Sequence, residues 1–313
     1  MSGLQETTAQ RVWRGIPAWV GWSIVTLALW GIWAVLSKAI PSDALSATEV
    51  QVVSTLGLIP ILLVLGVIKN RPTERSDRLG IALALGAGII SSLANIPYYG
   101  LLSSNKAAAV VPLTSMYPLI TVLLAVPILK ERLNWIQLGG ILVSLVAIYM
   151  FNVQEEGGWF SLWLLMAMVP IAMWGIAGLV QKMSTNHISG TRAAFWFMAA
   201  FVVVGAVMAL WDPPPVNISQ RTLVLAALVG FTLALGNCTI LLAYAQNGKA
   251  SIITPLTGLY PVISIPIAMW KWEETISARE AIGVLCALLA VVLLACESRP
   301  IQARQVVTAG DQA

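Results

Sequence analysis

Two short stretches of this chain carry hydroxyl and phenol groups at a spacing that places them on one face of a helix. Thr114, Tyr117 and Thr121 sit at i, i+3 and i+7, and Thr257, Tyr260 and Ser264 repeat the pattern. Uncharged groups of this kind give and take hydrogen bonds reversibly, which suits holding a small solute better than making or breaking bonds. In lipid such a stripe faces either a wet cavity or a neighbouring helix. Asn95, Tyr98, Tyr99, Asn237 and Tyr244 add more uncharged hydrogen-bonding groups, and Trp30 and Trp174 offer flat surfaces for an apolar or aromatic solute. These thirteen residues are the candidate substrate contacts. Pro112, Pro118, Pro255 and Pro261 bracket the two stripes. Each removes a backbone donor and disturbs a helix, so the four are candidate hinges.

Other chemistry finds little footing. The single histidine, His187, falls in a loop, and Cys238, Cys286 and Cys296 lie in or beside apolar runs without metal-ligand spacing. Glu273, Glu274 and Arg279 imitate the Glu-Glu-x-x-x-Arg of an intramembrane protease, but one residue too long and without its histidines. No Asp-rich or Gly-rich phosphate motif occurs. The expectation is a non-enzyme with no metal and no cofactor. No Asp, Glu, Arg or His falls in the central third of any apolar segment, which disfavours a carboxylate-driven proton relay. Rings of charge and filter sequences, the marks of a channel, are also missing.

The elements that must position these residues follow from composition. Of 313 residues, 58% are hydrophobic and 10% charged, with a mean hydropathy of +0.83. A soluble domain carries roughly 25% charged residues, so the chain is an integral membrane protein. Ten segments have about the 20 apolar residues that a spanning helix needs. They are 17–37, 45–68, 79–102, 106–129, 133–151, 159–181, 193–210, 222–245, 250–270 and 280–296. The first is too long for a signal-peptide core and reads as an uncleaved helix.

Orientation follows from Lys and Arg. One side holds Arg11, Arg14, Lys69, Arg71, Arg75, Arg78, Lys130, Arg132, Lys182, Arg192, Lys249, Arg299 and Arg304, thirteen of the eighteen basic residues. The other takes Lys38, Lys106, Arg221, Lys271 and Arg279, with acidic Glu155 and Glu156 in the fifth loop. Both termini are therefore expected in the cytoplasm, as tails 1–15 and 299–313. The basic residues form no aromatic-interleaved face, so nucleic acid is not an expected partner. Lys38 and Lys182, at helix ends, read as side chains snorkelling to the interface. Trp159, Trp163 and Trp211 read as interface anchors.

The sharpest signal is internal repetition. At an offset of 143, Lys106–Glu131 matches Lys249–Glu274 at ten of 26 positions, and both copies read P-L-T-x-x-Y-P. Trp30-Gly31 through Lys38 matches Trp174-Gly175 through Lys182 at an offset of 144. Asn95 aligns with Cys238, which leaves Asn237 one position out of register. Each copy holds five spans, an odd number, so the second must enter the bilayer from the opposite side. The fold expected is all-α and membrane-integral: ten transmembrane helices as two inverted five-helix repeats, residues 17–151 and 159–296.

The W-G-x6-K opening of each half, the P-L-T-x-x-Y-P helix and the K-E-R-L or E-E-T-I that follows it resemble the EamA-type drug/metabolite transporters. So does the closing Q-x-x-G helix (Gln137 and Gly140, with Glu280 and Gly283 in the second copy). The resemblance implies that spans one, three, four, six, eight and nine line a central cavity, with two and seven peripheral and five and ten at the side. It implies a solute carrier of the inner membrane whose partners are a small-molecule substrate and the bilayer, as monomer or homodimer. The uncharged residues point to a neutral, zwitterionic or aromatic metabolite moved by alternating access. Two alternatives stand beside this: an exchanger of anionic or phosphorylated metabolites using Lys106 and Lys249, and a non-transport membrane scaffold. A reporter fused after Ile301 should score as cytoplasmic, and a periplasmic score would reverse the topology.

Overall fold

The computed structural model describes residues 17–68, 77–151, 162–246 and 248–296. The tails 1–15 and 299–313, Lys69, Arg71, Arg75, Glu155, Glu156 and Trp159 lie outside the described residues. Twelve helices follow in order. They are α1 (Ala18–Lys38), α2 (Ala47–Val67), α3 (Asp77–Ser104), α4 (Ala107–Thr114), α5 (Pro118–Leu129), α6 (Trp135–Phe151), α7 (Leu162–Thr185), α8 (Gly190–Trp211), α9 (Gln220–Ala245), α10 (Ala250–Thr257), α11 (Pro261–Lys271) and α12 (Ala278–Ala295). Counting α4 with α5 and α10 with α11 as interrupted rods, nine among the described residues are long and apolar enough to cross a membrane. The seventeen-residue α6 is a shorter apolar helix.

Hydrocarbon offers no hydrogen bonds, so the chain must satisfy its own backbone. Helix starts are marked by local caps. Ser46 and Ser277 form reciprocal capping boxes with Glu49 and Glu280, and Asn134 and Gln137 exchange the same pair of bonds. This explains the Gln137/Glu280 correspondence: both close a box at the start of the last helix of their half. Gln137 then donates onward to the Leu294 carbonyl at 3.0 Å, tying α6 to α12.

The segments expected as single spans at 106–129 and 250–270 are each broken near the middle. Pro118 and Pro261 have no N–H to give the carbonyl four residues back. The carbonyls of Thr114 and Thr257 instead accept from Tyr117 and Tyr260, three residues on, at 3.3 and 3.4 Å. The tightened turn ends one helix, and each proline opens the next at its first turn, where its missing donor costs nothing. Pro112 and Pro255 instead lie inside α4 and α10.

Outward faces carry large apolar side chains, among them Leu63, Val67, Leu142, Leu210 and Leu285. A belt of this kind suits lipid and would aggregate in water. Inward faces approach closely through small residues, since helix association in lipid relies on packing. At the α2–α9 crossing a Cβ on Gly230 would sit 1.7 Å from the Ser54 carbonyl oxygen, and one on Gly57 1.9 Å from that of Ala227. Neither position admits a side chain without separating the two backbones. Gly230→Leu should therefore abolish or severely lower the cooperative thermal unfolding of detergent-solubilised protein. Gly86→Ala, whose new methyl meets nothing within 4 Å, should leave it unchanged.

Candidate functional site

The two breaks meet, Gly258 against Pro118, beside a cavity of about 50 Å³. Its wall contains Trp30 and Trp33 from α1, Ser91 and Asn95 from α3, and Tyr117 from the first break. From the other half come Trp174, Gly178 and Gln181 of α7, Phe201 of α8, Leu233, Asn237, Ile240 and Tyr244 of α9, and Tyr260 of the second break. Five rings close a cycle of edge-to-face contacts. The sequence runs Trp30–Tyr117 (6.3 Å), Tyr117–Trp174 (6.2 Å), Trp174–Trp33 (5.9 Å), Trp33–Tyr260 (6.5 Å) and Tyr260–Trp30 (6.4 Å). Edge-to-face geometry sets positive ring edges against negative faces and adds about 0.5–1.5 kcal/mol per pair beyond burial.

Glycine lets the elements come this close. A Cβ on Gly175 would lie 2.8 Å from the Tyr117 carbonyl oxygen, and one on Gly31 3.2 Å from that of Tyr260. Each half thus seats its own Trp-Gly helix against the break of the other half.

Of the thirteen candidate contacts, Trp30, Asn95, Tyr117, Trp174, Asn237, Tyr244 and Tyr260 reach the wall. Asn237 does so despite its register shift. Thr114, Thr121, Thr257, Ser264, Tyr98 and Tyr99 do not. Thr114 and Thr257 donate back to carbonyls of their own helices at 2.8–3.2 Å, which satisfies the hydroxyl locally. Thr121 donates to the Gly175 carbonyl at 2.8 Å and stitches α5 to α7. Tyr98 stacks behind Trp33 at 4.9 Å, and Tyr99 accepts from the Trp33 indole at 3.3 Å. Ser264 is buried with no partner. Only the tyrosine of each stripe is long enough to pass the turn and enter the cavity. Their hydroxyls lean on the opposite half: Tyr117 lies 3.5 Å from Thr257, while Tyr260 approaches Thr114 without meeting hydrogen-bond geometry.

Trp33 and Gln181 are wall residues that the stripe pattern passes over. Their spacing carried the signal: Trp33 follows Trp30 by three positions and Gln181 follows Trp174 by seven.

Three groups on the described wall residues are unpaired. The Trp30 indole N–H, the Asn95 amide nitrogen and the Tyr260 hydroxyl are buried and find no hydrogen-bond partner. Each such group costs about 1–3 kcal/mol while unmet.

Beyond the cavity, each interrupted rod is capped at its start by a carboxylate from the opposite half. Glu274, just past α11, accepts from the Ala107 and Ala108 amides at the start of α4, at 2.9 and 2.8 Å. Glu131, just past α5, accepts from Ala250 and Ser251 at the start of α10, at 3.2 and 3.1 Å. The carboxylates satisfy free N–H groups and meet the positive end of the helix dipole. Lys130 and Glu273, the positive-φ non-glycine residues among those described, directly precede them, at φ 57° and 52°. The left-handed residue turns the chain so that the next side chain crosses to the other half.

Lys38 and Lys182 do not snorkel. Lys38 donates to the Leu102 and Asn105 carbonyls at the end of α3, at 2.8 and 2.7 Å, and lies 3.9 Å from Glu274. Lys182 donates to the Tyr244 carbonyl near the end of α9 at 3.0 Å, within electrostatic reach of Glu131. Unpaired carbonyls at a helix end hold a cation more firmly than the interface does. The two clusters occupy opposite ends of α3. Leu102 belongs to one, while at the other end Gly80 abuts His187 and Ile188 just past α7, and Asp77 pairs with Arg192 at 2.7 Å. At the Lys38 end a vestibule of about 220 Å³ is lined by Lys38, Tyr99, Leu102 and Trp272 among others. Lys106 donates to the Thr275 carbonyl at 2.7 Å, and neither Lys106 nor Lys249 is in the cavity wall. Trp211 is exposed and Trp163 is half-buried against the core.

A family model described as the EamA-like transporter family matches residues 17–153 and again 161–296. An uncharacterized transporter of Archaeoglobus fulgidus is 23% identical over 214 residues, 68% of this chain and 75% of that protein. An uncharacterized protein of Methanocaldococcus jannaschii is 30% identical over 104 residues, 33% of this chain and 74% of that one. A solved crystal structure aligns with a TM-score of 0.62 at 15% identity, covering 93% of this chain and 99% of its own, a likeness of fold.

Glu131→Gln and Glu274→Gln should each lower stability by about 1–2 kcal/mol, seen as a reduced Tm in detergent, since one amide oxygen replaces a two-pronged charged cap. Lys130→Gly and Glu273→Gly should stay near wild type, because glycine enters the left-handed region freely. Equal behaviour of the two sets would refute the cap assignment.

Proposed function

The chain belongs to the EamA-like transporter family, and from that premise we propose that it carries a small neutral, zwitterionic or aromatic metabolite across the inner membrane by alternating access. Membership makes it a membrane transporter of the drug/metabolite superfamily. The observation that carries the finer reading is the ring cycle: an uncharged pocket at the crossing of two broken rods, built from both halves. Discontinuous helices at matching positions of two repeats are where carriers hold their solutes.

The cavity's size supports an occluded state. About 50 Å³ admits three or four waters, while sites for small organic ligands run to roughly 300–1,000 Å³. Solute entry therefore requires the walls to part. The Trp33–Tyr99 contact divides the cavity from the vestibule and is the nearest barrier to open.

On this reading the ten spans form two inverted halves, α1–α6 and α7–α12. Support comes from the paired contacts: Gly31 with Gly175, Glu274 with Glu131, Lys38 with Lys182, the last two pairs at opposite ends of α3. The Methanocaldococcus relative, matched over most of its length by a third of this chain, agrees with a unit of one half. The distribution of positive charge favours both termini in the cytoplasm and the Lys38–Glu274 cluster outside. Opening one end then separates one carboxylate from the helix it caps while the other cap holds. The lysine beside each carboxylate lowers the cost of that separation by keeping the freed charge paired.

An exchanger of phosphorylated anions finds less support, because Lys106 is committed to the Thr275 carbonyl and no charged residue is in the wall. Proteoliposomes tested with a panel of amino acids, neutral metabolites and sugar phosphates should show saturable counterflow for a net-neutral solute. Tyr117→Ala and Tyr260→Ala should each cut that flux by about tenfold or more, the loss of roughly 1.4 kcal/mol of binding, and Trp211→Ala, at the exposed surface, should not. Selective counterflow of phosphates would favour the exchanger, and absence of flux for every solute would favour a scaffold.

A further inference from the structure

The orphaned donors in the wall carry information about the solute, on the premise that the cavity is the carrier's binding site. Asn95 is 1% exposed, and its amide oxygen accepts from the Trp174 indole at 3.2 Å. An indole N–H can only donate, so this contact fixes which end of the amide is oxygen. The amide nitrogen, with two N–H groups, is left buried in the wall without an acceptor. The Trp30 indole N–H is also unmet, but that edge of the ring packs against α9 at Gly236. The unpaired hydroxyls nearby, on Tyr98 and Tyr260, can donate as well. No cation accompanies them in the wall.

We infer that Asn95, held by Trp174, is the substrate-anchoring donor, and that the solute presents to it a carbonyl or carboxylate oxygen while its body lies within the ring cycle. Burying a bare anion away from any cation is prohibitive, so the molecule is neutral overall. It is either a zwitterion, whose ammonium group can rest on the ring faces, or an uncharged carbonyl compound. Asn95 therefore sets specificity by rejecting analogues that lack the acceptor, as buried unpaired donors do.

The experiment compares matched ligands. L-Phenylalanine and L-leucine are paired with 2-phenylethylamine and 3-methylbutylamine, which lack the carboxylate, and phenylacetamide and isovaleramide form the uncharged carbonyl arm. Binding is read from the thermal unfolding shift of the full-length protein in detergent, and transport from counterflow in proteoliposomes. The expected result is a Tm rise with at least one acceptor-bearing compound and about tenfold or weaker binding of its acceptor-free partner. Which arm responds separates zwitterion from neutral carbonyl. Asn95→Leu removes both donors at nearly the same volume, and Asn95→Ser keeps a single hydroxyl donor. Asn95→Leu should lose most of the preference for the acceptor, read as the ratio of acceptor-bearing to acceptor-free binding, and Asn95→Ser should lose part of it. If Asn95→Leu fails to fold, the drop in preference in Asn95→Ser decides alone. No shift with any acceptor-bearing compound, amines bound equally well, or variants that keep the preference would each overturn the assignment. Selective binding without counterflow would leave the donors standing and overturn the carrier reading. Counterflow of amines without selectivity would do the reverse.

Discussion

A helix that breaks inside hydrocarbon frees backbone groups that no water can reach, and the rest of this structure is organised around meeting them. At Pro118 and Pro261 a tightened turn reassigns the carbonyls. The helices that lead into those turns begin with free amides, and these take carboxylates from the opposite half. The left-handed Lys130 and Glu273 exist to deliver those carboxylates. Lys38 and Lys182 then answer both the acids and the spent ends of α3 and α9. The breaks bring Tyr117 and Tyr260 inward, and the cavity forms where they cross. Satisfying the backbone and shaping the site are thus one problem.

Much of this was legible in the residues. Hydropathy located each apolar segment to within a few residues, because a bilayer imposes length and apolarity on every span. The P-L-T-x-x-Y-P repeat marked the two breaks and the tyrosines that line the cavity. Less legible was the fate of the threonines. Their spacing was right for a common face, but a short hydroxyl finds a carbonyl on its own helix before it finds a cavity. The lysines misled for a related reason. Position near a helix end suits both snorkelling and carbonyl capping, and the choice depends on which neighbour's helix ends there. The swapped caps were invisible locally, since Glu131 and the amide of Ala250 it holds are 119 positions apart.

The wall itself mixes two kinds of contact. Ring against ring provides bulk, shape and tolerance, because stacking makes few demands on the identity of a guest. Donors without acceptors provide discrimination, because they remain unsatisfied until a particular atom arrives. On the inferred binding role, Asn95 weighs more in selectivity than its share of the wall suggests.

The crossed carboxylates bear on what counts as a unit in this protein. The family model recognises two separate copies along the chain, yet neither copy contains the group that finishes its own broken helix. A chain divided at the central loop would leave each fragment with an acid seeking amides and amides seeking an acid. In these caps the fragments are complementary, each holding the acid that the other's broken helix takes.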